Sequence, residues 1–77
     1  MSKITVIPPP KMCAIVKKLG FILVRQKGSH AFYKHGDGRT TVIPIHKGED
    51  LGRGMIRSIL KDIEISVEEY ERLRRDI

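Results

Sequence analysis

The sequence of 77 residues has one cysteine, Cys13, no tryptophan, and only four aromatic side chains, Phe21, Phe32, Tyr33 and Tyr70. A lone cysteine excludes an internal disulfide and a cysteine-based metal cluster. It leaves a reduced thiol packed on a helix as the expectation. With 40% hydrophobic residues and so few rings, a deep apolar pocket for a large cofactor is not expected, and no cofactor is assigned. No stretch approaches the ~18 consecutive apolar residues of a membrane span. The segment Met1 to Ile7 is too short for a signal sequence and no cleavage site follows it, so a cytoplasmic protein is expected. The chain has no CxxC, HExxH, Walker-type loop or GxSxG pattern. The adjacent carboxylates Glu49 and Asp50 read as solvated loop residues, and no metal site is expected. Length alone gives one small domain spanning residues 1–77, stabilised by one compact core.

What is present in excess is positive charge, and it is unevenly placed. Fifteen Lys and Arg against nine Asp and Glu give a net charge of +6. Residues 1–61 carry +9, whereas residues 62–77 carry −3. A basic body with an acidic tail suits a polyanion, because phosphates release counterions to clustered Lys and Arg. A basic surface kept for solubility explains the total equally well.

The pattern along the chain gives a sequence of elements. Pro10 opens a helix of roughly ten residues in which Met12, Ile15, Val16 and Leu19 share one face, and Gly20 caps it. The β-branched and aromatic run Phe21 to Gln26 reads as a strand, and Lys27-Gly28 as a turn. Ser29 to His35 is a second strand, with His30, Phe32 and Lys34 on one face and Ala31 and Tyr33 on the other. Gly36-Asp37-Gly38 is a hairpin signal. Arg39 to Ile45 is a third strand, placed at the sheet edge because Pro44 has no N–H to give. A polar connection, 46–54, leads to an amphipathic helix with Ile56, Ile59, Leu60 and Ile63 inward. Ser66 to Glu69 has the form of a capping box for a short last helix presenting Val67, Tyr70, Leu73 and Ile77. Ion pairs at i,i+4 are expected from Glu68 to Arg72 and from Glu71 to Arg75. Three strands with helices on one face make an α+β two-layer sandwich in the order α-β-β-β-α, the double-stranded-RNA-binding-domain-like arrangement, with a short extra C-terminal helix.

Chemistry can be sought in two places. Arg53, Arg57 and Lys61 fall at i, i+4 and i+8, a basic row on the second helix that can follow a phosphate backbone. Nothing acidic stands in that row, which favours nucleic acid over a merely solvated face. Of the histidines, His35 reads as a solvated turn residue, and His46 as a loop hydrogen-bonder or a phosphate contact. His30 starts the middle strand after Gly28-Ser29, with Lys27 and Lys34 nearby. An imidazole between cations can take a proton near neutral pH, and RNA cleavage needs a base, cations for the developing charge and an acid. Spacing alone is explained as well by a structural histidine at a strand end.

Several segments in order change that balance: Gly28-Ser29-His30, Val42-Ile43-Pro44-Ile45-His46, Gly54 to Asp62, and Ile65-Ser66-Val67-Glu68-Glu69. Together, over roughly residues 11–75, they resemble the HicA mRNA interferase family, also called YcfA-like proteins. The resemblance implies a double-stranded-RNA-binding-like fold, an mRNA-cleaving toxin of a type II toxin–antitoxin system, and a HicB-type antitoxin that covers the catalytic histidine. It carries the catalytic role to His30 and to no other residue. RNA or phosphate contacts by Lys27, Ser29, Lys34, Arg53, Arg57 and Lys61 are assigned from charge and placement. Water, Ser29 and a lysine are all open as the general acid. The sequence departs from the family pattern at three positions. Ala31 stands where many members have a second histidine or a larger residue, which excludes a pair of neighbouring histidines in the chain. Met55 replaces a common threonine, and Glu64 a common glycine at the end of the second helix. The Pro-rich N-terminus lies outside the resemblance. The alternatives to a nuclease are a non-catalytic double-stranded-RNA-binding module and a protein that binds an acidic partner through its basic surface.

Overall fold

The computed structural model describes residues 3–77. The elements are α1 (Pro9–Lys18), β1 (Ile22–Lys27), β2 (His30–Lys34), β3 (Thr40–Pro44), α2 (Arg53–Ile63) and α3 (Val67–Asp76). The strands form one antiparallel sheet in the order β1-β2-β3. The order of elements is that of the double-stranded-RNA-binding-like α-β-β-β-α sandwich, with α3 added. Pro44 lies on edge strand β3, where its missing donor costs no ladder bond.

Alternation sorts the sheet into two faces. Ala31 and Tyr33 of β2 and Thr41 and Ile43 of β3 are buried. They pack with Ile15 and Val16 of α1, Ile56, Ile59, Leu60 and Ile63 of α2, and Tyr70 and Leu73 of α3 in one core cluster. Cys13 is buried there as a free thiol. Burial, with a hydrogen bond to the Cys13 side chain, pushes the Tyr33 phenol well above its ordinary value. The opposite face carries His30 and Lys34, both exposed, and the half-buried Phe32 between them.

Strand β1 forms where its apolar run reads as a strand, at the sheet edge. Every residue of it is exposed, with Ile22 at 67% and Val24 at 58%. The register slips between Leu23 and Arg25, an irregularity of the bulge kind on this second edge. Phe21 stays in the core, just before the strand begins. His35 is not a solvated turn residue. Its ring meets Phe21 edge-on at 5.1 Å, and its Nδ1 accepts from the Asp37 N–H at 3.1 Å. Arg39 stacks on the other side of this corner, 5.1 Å from the Phe21 ring centroid, and donates to the Ile63 carbonyl at the end of α2.

The Pro-rich N-terminus is part of the fold. Ile4 and Ile7 are buried, and the Ile7 carbonyl accepts from the Leu51 N–H at 2.9 Å. Thr5 gives its N–H and its hydroxyl to the two oxygens of Glu71, and its carbonyl accepts from the Tyr70 hydroxyl at 2.6 Å. Glu71 also accepts from Arg74 at 2.7 Å, an i,i+3 pair in place of the expected pairing with Arg75. The Ser66 hydroxyl caps α3 by accepting from the Glu69 N–H at 3.0 Å.

Candidate active site

The turn between β1 and β2 decides where His30 stands. Gly28 has φ +58, a conformation that costs an L-residue about 1–2 kcal/mol, and it is followed by Ser29 to complete a two-residue hairpin loop. A loop of that length makes its flanking residues direct cross-strand partners, so Lys27 faces His30 across the ladder. On the other side His30 faces Pro44 of β3. Lys27, His30 and Pro44 therefore form one row on the open face of the sheet. Antiparallel pairing continues one step past β3, where the Ile45 N–H donates to the Ser29 carbonyl at 2.6 Å. Ser29 thus serves the turn through its backbone.

His30 opens onto a groove of about 650 Å³ between the β3 edge and α2. Thr40, Val42 and Pro44 form one wall, and Met55, Ser58 and Asp62 of α2 the other. His46, Asp50 and Leu51 close the end nearest His30. The buried Thr41 hydroxyl donates to the Asp62 carboxylate at 3.0 Å, which fastens α2 to the sheet and fixes that wall. Among the described residues no group of three or more His, Cys, Asp or Glu is placed to hold a metal ion.

The residues singled out in the sequence separate into two groups. Lys27 and Ser29 adjoin His30, and Lys34 shares its face at the far end of β2, about 13 Å along the strand. The row Arg53, Arg57 and Lys61 is exposed, but it does not line the groove. At 3.6 residues per turn it lies roughly 130° around α2 from Met55, Ser58 and Asp62. Arg53 is in part structural, since its Nε donates to the Ile4 carbonyl at 2.9 Å. Sequence reading singled out neither Asp62 nor Ser58 for the site; Asp50, read as a solvated loop residue, is exposed in a loop and also lines the groove. The spacing of Met55, Ser58 and Asp62 at i, i+3 and i+7 was the available signal, a second helical face beside the buried one. A further cation, Arg25, sits over the Phe32 ring at 4.7 Å in the middle of the open face.

A family model described as HicA toxin of bacterial toxin–antitoxin matches residues 9–65, most of the chain. The protein belongs to the HicA toxin family. The match takes in the turn, His30, the whole groove and α2, and it stops before α3. A search among curated proteins finds no match. Membership makes this HicA chain the toxin of a toxin–antitoxin system and implies an antitoxin as its partner. No helix among the described residues is long and apolar enough to cross a membrane. Within HicA the family motif Gly28-Ser29-His30 now has a structural account: the glycine permits the tight loop, and the loop sets the histidine against a lysine at a groove mouth.

Proposed function

We propose that this HicA protein is a metal-independent endoribonuclease that cleaves mRNA in the cytoplasm, with His30 as the general base. In this reading His30 takes the proton of a ribose 2′-OH. The oxygen then attacks the adjacent phosphorus and leaves a 2′,3′-cyclic phosphate. Lys27, directly across the ladder, is placed to hold a phosphoryl oxygen as negative charge develops. Lys34 and the open sheet face would receive the strand beyond the cut, while Arg57 and Lys61 would reach RNA passing over the outer side of α2. A HicB-type antitoxin would neutralise the toxin by covering the His30 face. The observation that carries the reading is an exposed imidazole beside a lysine, at the mouth of a groove, on the sheet face opposite the core.

The test is digestion of RNA by wild type and His30→Ala in excess EDTA, with product ends identified by mass. Wild type is expected to leave cyclic phosphate and 5′-hydroxyl ends. The variant should lose about 10²–10⁴-fold in rate while folding and binding RNA as before. RNA retained in a gel shift but left uncut by wild type would make the protein a binding module instead.

A further inference from the structure

Cleavage by transphosphorylation needs an acid as well as a base, and the proposed function leaves the acid open. The structure places a second imidazole at the site. Pairing of His30 with Pro44 and of Ser29 with Ile45 fixes the register at this end of the sheet. Alternation then puts His46, two residues past Pro44, on the face of His30 and diagonally across from it. Diagonal neighbours in an antiparallel pair stand about 7–8 Å apart. Both side chains line the same groove. His46 is also held in position. Its carbonyl accepts from the Glu49 N–H at 3.1 Å in a turn that uses Gly48 at φ +79, so the chain reverses directly after the imidazole.

We propose that His46 is the general acid of the reaction, the partner of His30 across the β2–β3 ladder. This assignment rests on the ribonuclease reading. In the step, His30 accepts the 2′-OH proton as the 2′-oxygen bonds to phosphorus. The bond from phosphorus to the 5′-oxygen breaks, and protonated His46 gives its proton to that leaving oxygen. The products are a 2′,3′-cyclic phosphate and a 5′-hydroxyl. His30 ends protonated and His46 neutral, and exchange with water restores both. An in-line displacement needs its acid and base on opposite sides of phosphorus, each within about 3 Å of its own oxygen, and a pair separated by one ladder diagonal can meet that need. The other ionisable groups around His46 include Asp50 and Asp62 in the groove, Lys47 and Glu49 close by in the chain, and Lys27 beyond His30. Asp62 is engaged by Thr41. Of these side-chain types imidazole is the one that ordinarily titrates near neutral pH, so it can carry a proton in and leave without it. The buried Ala31 excludes two adjacent histidines in one strand, and the structure supplies the second from the segment that follows the neighbouring strand.

The experiment compares two substrates. One is RNA. The other is a uridine 3′-phosphodiester with a p-nitrophenolate leaving group, which departs without help from an acid. His46→Ala is expected to cut RNA about 10²–10⁴-fold more slowly than wild type, while its rate on the nitrophenyl ester stays within a few-fold. Its rate on RNA should also lose the fall at alkaline pH that a required acid imposes. His30→Ala should lose both substrates. His46→Gln, which keeps bulk and polarity, should behave as His46→Ala, and thermal unfolding of both variants should match wild type because His46 is exposed. Equal losses by His46→Ala on the two substrates, or wild-type cleavage of RNA by either variant, would overturn the assignment and leave His30 in place. A wild type that cuts neither substrate would instead remove the ribonuclease reading itself.

Discussion

Two backbone positions of opposite kind show what single residues contribute. Gly28 takes φ +58 in the turn that sets Lys27 against His30. Gly28→Ala is expected to cost about 1–2 kcal/mol in urea unfolding and to slow RNA cleavage beyond that loss, because the hairpin register shifts. Glu64 takes φ 60 and ψ 47 at the end of α2, where its N–H closes onto the Leu60 carbonyl. This is the left-handed cap that glycine fills without strain, and the sequence shows the departure from glycine without showing its conformation. Glu64→Gly should therefore stabilise the protein, by about 0.5–1 kcal/mol after the added freedom of the unfolded chain is counted, measured by the same unfolding.

At the scale of the element, α2 presents three sides, and only one was fully legible. The buried side, Ile56, Ile59, Leu60 and Ile63, follows from helical periodicity and is found as expected. The basic side was visible as spacing, but spacing gives no direction toward a neighbour, so its turn away from the groove was not. The groove side holds Met55, Ser58 and Asp62 and became meaningful only once β3 lay beside it. The same holds for the histidines: His30 was named by a motif, whereas its relation to His46 depends on a strand register that no local pattern encodes. For β1 the apolar run correctly indicated a strand and left its cover open, since cover depends on which strands the helices reach. The two cationic groups should separate in kinetics. Lys27→Ala is expected to lower the turnover rate in single-turnover cleavage, whereas Arg57→Ala should weaken RNA binding, leave turnover at saturation unchanged, and reduce the salt slope of single-strand binding by about 0.7.

Across the whole molecule, the contact between the N-terminal segment and α3 contributes to the pH limits of the fold, beside the raised Tyr33 phenol in the core. Desolvation raises the Glu71 carboxyl, but the Thr5 and Arg74 hydrogen bonds outweigh it and hold the group below its ordinary value. A depressed carboxyl stabilises the fold above its unfolded value of about 4.3, and that stability is lost as pH falls through the folded value. The Tyr70 phenol is pushed up to about 12, first by burial and then by the nearby Glu71 charge. A raised phenol stabilises the fold below its unfolded value of about 10, and this contribution is lost as pH rises toward 12. Melting temperature should thus fall in acid below about pH 4 and again in alkali above about pH 10. Glu71→Gln should lessen the acid fall, and Tyr70→Phe should lessen the alkaline one, whose remainder belongs to Tyr33.

The same contact brings Thr5 and Glu71 together although 66 residues separate them in the chain. Thr5 and Glu71, each within a few residues of an end of the chain, are therefore neighbours in space, and a linker between the N-terminal segment and α3 would close the chain into a ring. Opening the joined ring within Gly36-Asp37-Gly38, an exposed turn that contributes no residue to the groove lining, would give a circular permutant with every element intact. In that permutant the most distant contact of the fold becomes one of its most local, at the cost of separating β2 from β3. A stopped-flow comparison of the two connectivities would then tell which closure limits folding: faster folding on joining the ends would point to the terminal contact, and slower folding to the hairpin that carries the histidines.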